Sequence, residues 1–240
     1  MIDPLHQFTI SPILKIDIGG VDLSFTNSSL SVLVTLVAVC AILSIFIGNK
    51  KLIPDRMQAS IEMLYEAIAD MIDTNIGKSG QHYFPFVFSV FLFVLFGNLV
   101  GIIPYMFTFT SHIIATFTIA IIVFIFITIL GVALHGLNFL SLFAPSGVPK
   151  FLLPLLIPIE MISYLSKPIS LSIRLFANIM AGHTVMKVFA GFAAMLGILG
   201  IIPVAINIVL TGFEIFMAIL QAYIFTMLTC VYLNDTVHLH

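Results

Sequence analysis

The sequence predicts an all-α integral membrane protein: about five transmembrane helices, an amphipathic surface helix, and a last pair of helices long enough to require strong tilting. Three observations carry that prediction. The 240 residues are 60% hydrophobic and only 8% charged, against roughly 25% charged in a soluble domain, and the mean hydropathy is +1.20. Apolar runs near 26–48, 83–107, 112–134, 151–190 and 200–233 each reach the ~20 residues that a helix needs to span hydrocarbon. Between the first two, acids and apolar residues mix at helical spacing, as on a surface helix.

Residues 1–25 are expected outside the membrane, and "MIDPLHQF" has an early acid and no basic n-region, so no cleavable signal peptide is expected. The first span, 26–48, ends at "GNKKLIPDR". Residues 55–77, "DRMQASIEMLYEAIADMIDTNIG", then read as the amphipathic helix, starting after Pro54 and stopping at Gly77. Two upright spans follow, 83–107 and 112–134, joined by a tight turn near Pro104. The loop "HGLNFLSLFAPSGVPK" is rich in Gly, Pro and Ser. It leads to a hairpin of helices over 158–190 and 203–233, each about 45 Å long at ~1.5 Å per residue. Hydrocarbon is about 30 Å thick, so both are expected to tilt steeply. The whole chain reads as a single membrane domain.

Lys50, Lys51, Arg56, Lys78 and Lys150 fall in two loops, whereas 106–111 and 191–203 hold no Lys or Arg. Basic loops stay on the inner side, so five crossings put the N-terminus outside and the C-terminus inside. Cys40 and Cys230 lie within apolar runs and are expected as buried thiols. The net charge of -2, with no basic patch, offers nothing to nucleic acid.

The second half carries the chemistry. On a helix, Glu160, Tyr164, Lys167, Leu171, Arg174 and Asn178 fall at offsets of 4, 7, 11, 14 and 18 and share one face. Ser163, Ser166 and Ser170 form an adjacent polar strip. The last helix repeats the pattern with Asn207, Thr211, Glu214 and Gln221 at offsets of 4, 7 and 14. Charges at membrane depth cost about 2.5 kcal/mol or more and face a partner or a water-filled cavity, so two such stripes suggest a polar pathway. Arg174 is a fixed charge, because a guanidinium does not release its proton. Glu214, His183 and Glu160 are of types that exchange protons. His183 is nine residues from Arg174, on the opposite side of an ideal helix.

At these residues the chain resembles the a subunit of F-type ATP synthases. The resemblance rests on "SKPISLSIRLFANIMAGH" and "GFEIFMAILQAYIFTMLTCVYL", with "FTNSSL", "GNLVGIIPYMFTFTSH" and "YLND" extending it over nearly the whole chain. It implies that Arg174 is the stator arginine facing the carboxylates of a rotating c-ring, with Gln221 close to it. It implies further that Asn178, His183 and Glu214 line a half-channel open to the outside. Glu160, Ser163, Ser166, Lys167 and Ser170 fall near the half-channel open to the inside. Many bacterial members carry an acid at the position of His183 and a histidine at that of Glu214. Here the two are exchanged, as in mitochondrial and alphaproteobacterial forms.

By the same resemblance, the c-ring, peripheral-stalk b-type subunits and the rest of the synthase are the partners, and protons are the cargo. A bacterial plasma membrane is favoured over a mitochondrial inner membrane. The chain is expected to be non-catalytic and to need no cofactor; it has no Walker-type phosphate loop. Two other classes compete. A stand-alone proton-coupled secondary transporter would use internal repeats, and none is visible. A haem-bearing redox anchor would use His112 and His135, but these bracket one span at opposite faces.

Overall fold

The computed structural model describes residues 9–15, 17–18, 21–22, 24–48, 55–103, 106–136, 138–139 and 151–238. Five of its helices are long and apolar enough to cross a membrane. They are α1 (Asn27–Gly48), α3 (Phe84–Ile102), α4 (Ile113–His135), α5 (Leu153–Met195) and α6 (Ile201–Val237), and α2 (Arg56–Ile76) is the amphipathic helix. The membrane-protein fold class is therefore the one observed.

The N-terminal segment contains strands that hydropathy did not suggest. β1 (Pro12–Leu14) pairs antiparallel with β4 (Phe25–Thr26), and β2 (Asp17–Ile18) pairs with β3 (Val21–Asp22). Asn27 fastens this segment to α1: its Oδ1 accepts from the Ser11 and Ser28 amides at 3.2 and 3.0 Å, and its Nδ2 donates to the Thr9 carbonyl at 3.1 Å.

α2 buries Ile68, Met71, Ile72 and Ile76 and exposes Glu66, Asp70 and Asp73, the split expected of an amphipathic helix. Its apolar stripe packs on α3 and α6. α3 lies at the centre, touching α1, α2 and α6. It is enclosed on most sides, with Val87, Phe88, Phe91, Leu92, Val94 and Leu95 all buried, which explains why its sequence shows almost no polar face. α4 buries Thr116, Ala120, Val123, Ile127 and Gly131 along one stripe and turns Ile114, Ile122, Ile125 and Ile129 outward, as a lipid-facing helix does.

Several boundaries differ from expectation. The second span stops at Ile102 instead of 107, with Ile103 extended at ψ 126°; the residue before a proline is driven out of the helical region, and Pro104 itself lies outside the described residues. The turn continues as a short 3-10 helix over Phe109–Ser111. α5 starts at Leu153 and runs 43 residues, straight through Pro158 and Pro168, and α6 runs 37. Pro158 looked like a helix start, but Pro154 occupies the first turn. At ~1.5 Å per residue the two helices are about 65 and 55 Å long, so the length mismatch with lipid is larger than the sequence indicated. Cys40 is exposed on the outward side of α1, contrary to the expectation of a buried thiol, whereas Cys230 is buried. α1 sits at the edge of the bundle, so only part of it faces protein. The basic residues Lys50, Lys51 and Lys150 lie outside the described residues.

Candidate functional site

α5 and α6 form an antiparallel hairpin through Gly197–Gly200, which lays the polar stripe of one against that of the other. On α6, Asn207 and Thr211 are half-buried, and Glu214 and Gln221 are 5% and 2% exposed. On α5, His183 is 9% exposed, and its Nε2 lies 3.5 Å from Glu214 Oε1. This close approach depends on a missing side chain: a Cβ at Gly182 would lie 2.9 Å from Glu214 Oε1. The expected acid–imidazole pair is thus brought together.

Two cavities adjoin the pair. One, of about 580 Å³, is lined by His183, Met186, Lys187, Asn207 and Thr211, with Leu99 and Ile102 of α3 and the following Ile103. The other, of about 200 Å³, is lined by Asn178, Gly182 and Glu214 among apolar side chains. Both exceed the ~30 Å³ share of one liquid water. Buried polar atoms in proteins nearly always have hydrogen-bond partners, yet Glu214 Oε1 and Oε2, Asn178 Nδ2, Asn207 Oδ1 and Gln221 Nε2 have none among the described residues. A chain of buried acceptors and donors beside space of this size is suited to holding water and passing protons along it.

Arg174 occupies a different environment. It is exposed at the midpoint of α5, beside exposed Ser170, Ile173 and Ala177. Apart from Arg174 and the serine strip, the hairpin exposes mainly large apolar side chains: Ile162, Leu165 and Ile169 on α5, and Ile208, Val209, Phe213, Phe216 and Ile219 on α6. No described residue forms an ion pair with Arg174, and the His183–Glu214 and Lys167–Asp235 pairs involve other groups. An intramolecular ion pair with Glu160 or Glu214 is therefore not what holds the guanidinium in this chain.

In the N-terminal half of α5, Lys167 is committed to a cluster. Its Nζ lies 3.0 Å from Asp235 Oδ2 and sits 4.6 and 5.4 Å from the ring centroids of Tyr232 and Tyr164. The Tyr164 hydroxyl is 2.8 Å from Thr128 Oγ1. Glu160 is half-buried, while Ser163, Ser166 and Ser170 are exposed along α5. Ser166 Oγ donates to the Ser163 carbonyl at 2.7 Å, the local back-bond that a helical serine commonly makes.

Two polar residues in this half of the bundle escaped the sequence reading. Thr108 is buried in the turn between α3 and α4, with its Oγ1 3.3 Å from His183 Nε2. Asn98 is fully buried in α3, and neither amide atom has a hydrogen-bond partner among the described residues. A lone amide in so apolar a helix was the available signal for Asn98. Thr108 gave none, because only the tertiary fold carries its turn to α5.

A family model described as ATP synthase A chain matches residues 29–234. The chain is 53% identical to ATP synthase subunit a of Agrobacterium fabrum, over 98% of each chain. It is 50% identical to that of Rhodospirillum rubrum over the full length of both, and 51% identical to that of a Chelativorans species over 98% of each. With five membrane-length helices and bacterial relatives alike from end to end, the chain is an integral inner-membrane protein and belongs to the ATP synthase A chain family.

Proposed function

We propose that the chain is the proton-conducting stator of the synthase membrane sector, with two offset half-channels that meet a c-ring on either side of Arg174. The observation that carries this reading is the division of α5: Arg174 is exposed on an apolar surface, while His183, on the other side of the helix, is buried against Glu214. One surface suits a moving apolar partner that carries carboxylates. The other suits a fixed relay.

Protons enter from the outside through the cavities at Asn207, His183, Glu214 and Asn178 and neutralise a c-ring carboxylate, which then turns through lipid. Glu160, Ser163, Ser166 and Ser170 line the exit to the inside, and Lys167 stands beside it, tied to Asp235. At the exit Arg174 favours the ionised carboxylate, since an opposite charge within ~4–6 Å stabilises it. Gln221, buried on α6, is the residue that the family resemblance places close to the arginine. The permanent charge also repels any proton that would cross directly between the half-channels. Membrane potential supplies about 2.3 kcal/mol per charge per 100 mV. Peripheral-stalk b-type subunits hold the chain static while the ring turns, and nucleotide chemistry takes place elsewhere in the complex.

The test is ATP-driven acidification of inverted vesicles by the assembled complex carrying Arg174→Ala. Loss of pumping with assembly intact is expected, and an added passive leak supports the barrier role. Normal pumping by the variant would remove the basis of the proposal.

A further inference from the structure

Thr108 is 6% exposed, and its hydroxyl lies between two groups. Oγ1 is 3.0 Å from the Gly101 carbonyl and 3.3 Å from His183 Nε2. A hydroxyl has one proton to donate and two lone pairs to offer, and a carbonyl can only accept. When the Thr108 proton goes to Gly101, only a lone pair faces His183, so Nε2 must be the donor. That same nitrogen is 3.5 Å from Glu214 Oε1.

We propose that Thr108 is a positioning residue that keeps His183 Nε2 aimed at Glu214 in both protonation states and favours the protonated one. The inference rests on the reading of His183 and Glu214 as the outer relay. In the loaded state the imidazolium donates from Nε2 to Thr108 and toward Glu214. On transfer, the N–H bond at Nε2 breaks and an O–H bond forms at Oε1. This leaves a neutral imidazole protonated at Nδ1 and a neutral carboxylic acid. The Thr108 hydroxyl then rotates from the Gly101 carbonyl to donate to the bare Nε2, so the ring keeps its aim until it is recharged from the cavity it lines.

The backbone opposite is shaped for this seat: a Cβ at Gly101 would lie 2.5 Å from Thr108 Cγ2 and 2.9 Å from its Oγ1. Among the described residues, the charged or titratable groups around His183 include Glu214 of α6 and Lys187 of α5, while α3 presents Leu99 and Ile102, followed by Ile103. Thr108 is therefore a polar partner that comes from neither helix of the hairpin.

The experiment measures proton-driven ATP synthesis in vesicles against outer-side pH for Thr108→Val, Thr108→Ser and His183→Ala. Valine keeps the shape and loses the hydroxyl. The expected result is a three- to tenfold lower rate near neutral pH, about the size of one ordinary net hydrogen bond, with the loading midpoint moved about 0.5–1 pH unit to the acid side. The sign follows because the hydroxyl favours the protonated ring: it accepts from the imidazolium while still donating to the Gly101 carbonyl, and must give up that bond to serve the neutral ring. Serine restores most of the rate, Gly101→Ala reproduces the valine effect in milder form, and Thr108→Val adds nothing in a His183→Ala background. An unchanged pH profile in Thr108→Val, an equal loss in Thr108→Ser, or multiplying effects in the double variant overturns the proposal. Full activity of His183→Ala would instead overturn the relay reading beneath it.

Discussion

Gly182→Ala is the sharpest test of how the hairpin seats its carboxylate. A Cβ at that position would lie 2.9 Å from Glu214 Oε1, 3.3 Å from Cδ and 3.6 Å from Cγ. Non-bonded contacts settle near ~3.5–4.0 Å, so Oε1 must retreat by about 0.5 Å or more. The atom that moves is the end of a flexible side chain, and alanine is favoured over glycine in a helix by about 1 kcal/mol, so folding and assembly should survive. The relay should not. Oε1 is the oxygen 3.5 Å from His183 Nε2, and displacing a reacting group by about 1 Å can cost on the order of 100-fold in rate. A fall of roughly ten- to 100-fold in ATP-driven acidification is therefore expected, with ATP hydrolysis by the soluble sector and assembly on native gels unchanged. Combining Gly182→Ala with Glu214→Asp returns about one methylene of space and should recover part of the loss. Wild-type pumping by the assembled alanine variant would refute the reasoning, because the position of the carboxylate would then be immaterial.

Three further outcomes are expected. Lys167→Ala should lower the thermal stability of the solubilised protein by about 1 kcal/mol, the size of a partly exposed ion pair with a cation–π contact, and exchanging Lys167 and Asp235 should recover part of it; no change in melting would mean that the cluster contributes nothing. A membrane-permeant maleimide should label Cys40 and spare Cys230, which is fully buried; the reverse pattern would contradict the placement of α1 at the bundle edge. Single cysteines at Ser163, Ser166 and Ser170 should react with a small aqueous thiol reagent or silver ion applied from the inner side, and failure at all three would remove the inner half-channel from this strip.

Much of the molecule was legible in advance because helix formation in lipid is a local matter. Every backbone group must be satisfied within its own segment, so apolar runs marked the five spans, and α2 emerged within one residue at each end of its predicted range. Helical periodicity likewise put Asn207, Thr211, Glu214 and Gln221 on one stripe, and nine residues placed Arg174 and His183 on opposite sides of α5. The prolines were the weak point of that local reading. Pro104 lies just beyond the end of α3, whereas Pro158 and Pro168 are accommodated within α5; neighbouring helices can stabilise what a proline costs locally.

The sequence by itself determined which segments cross the membrane and which of their faces are polar, since composition and the 3.6-residue repeat act within a single helix. Tertiary structure alone decided which polar groups meet. The approach of His183 to Glu214 depends on α5 and α6 closing at Gly182, and the contact of Thr108 with His183 depends on a turn folding across from residues 75 positions away. Those meetings follow from the register and closeness of packed helices, which are properties of the whole bundle, and no stretch of chain carries them alone.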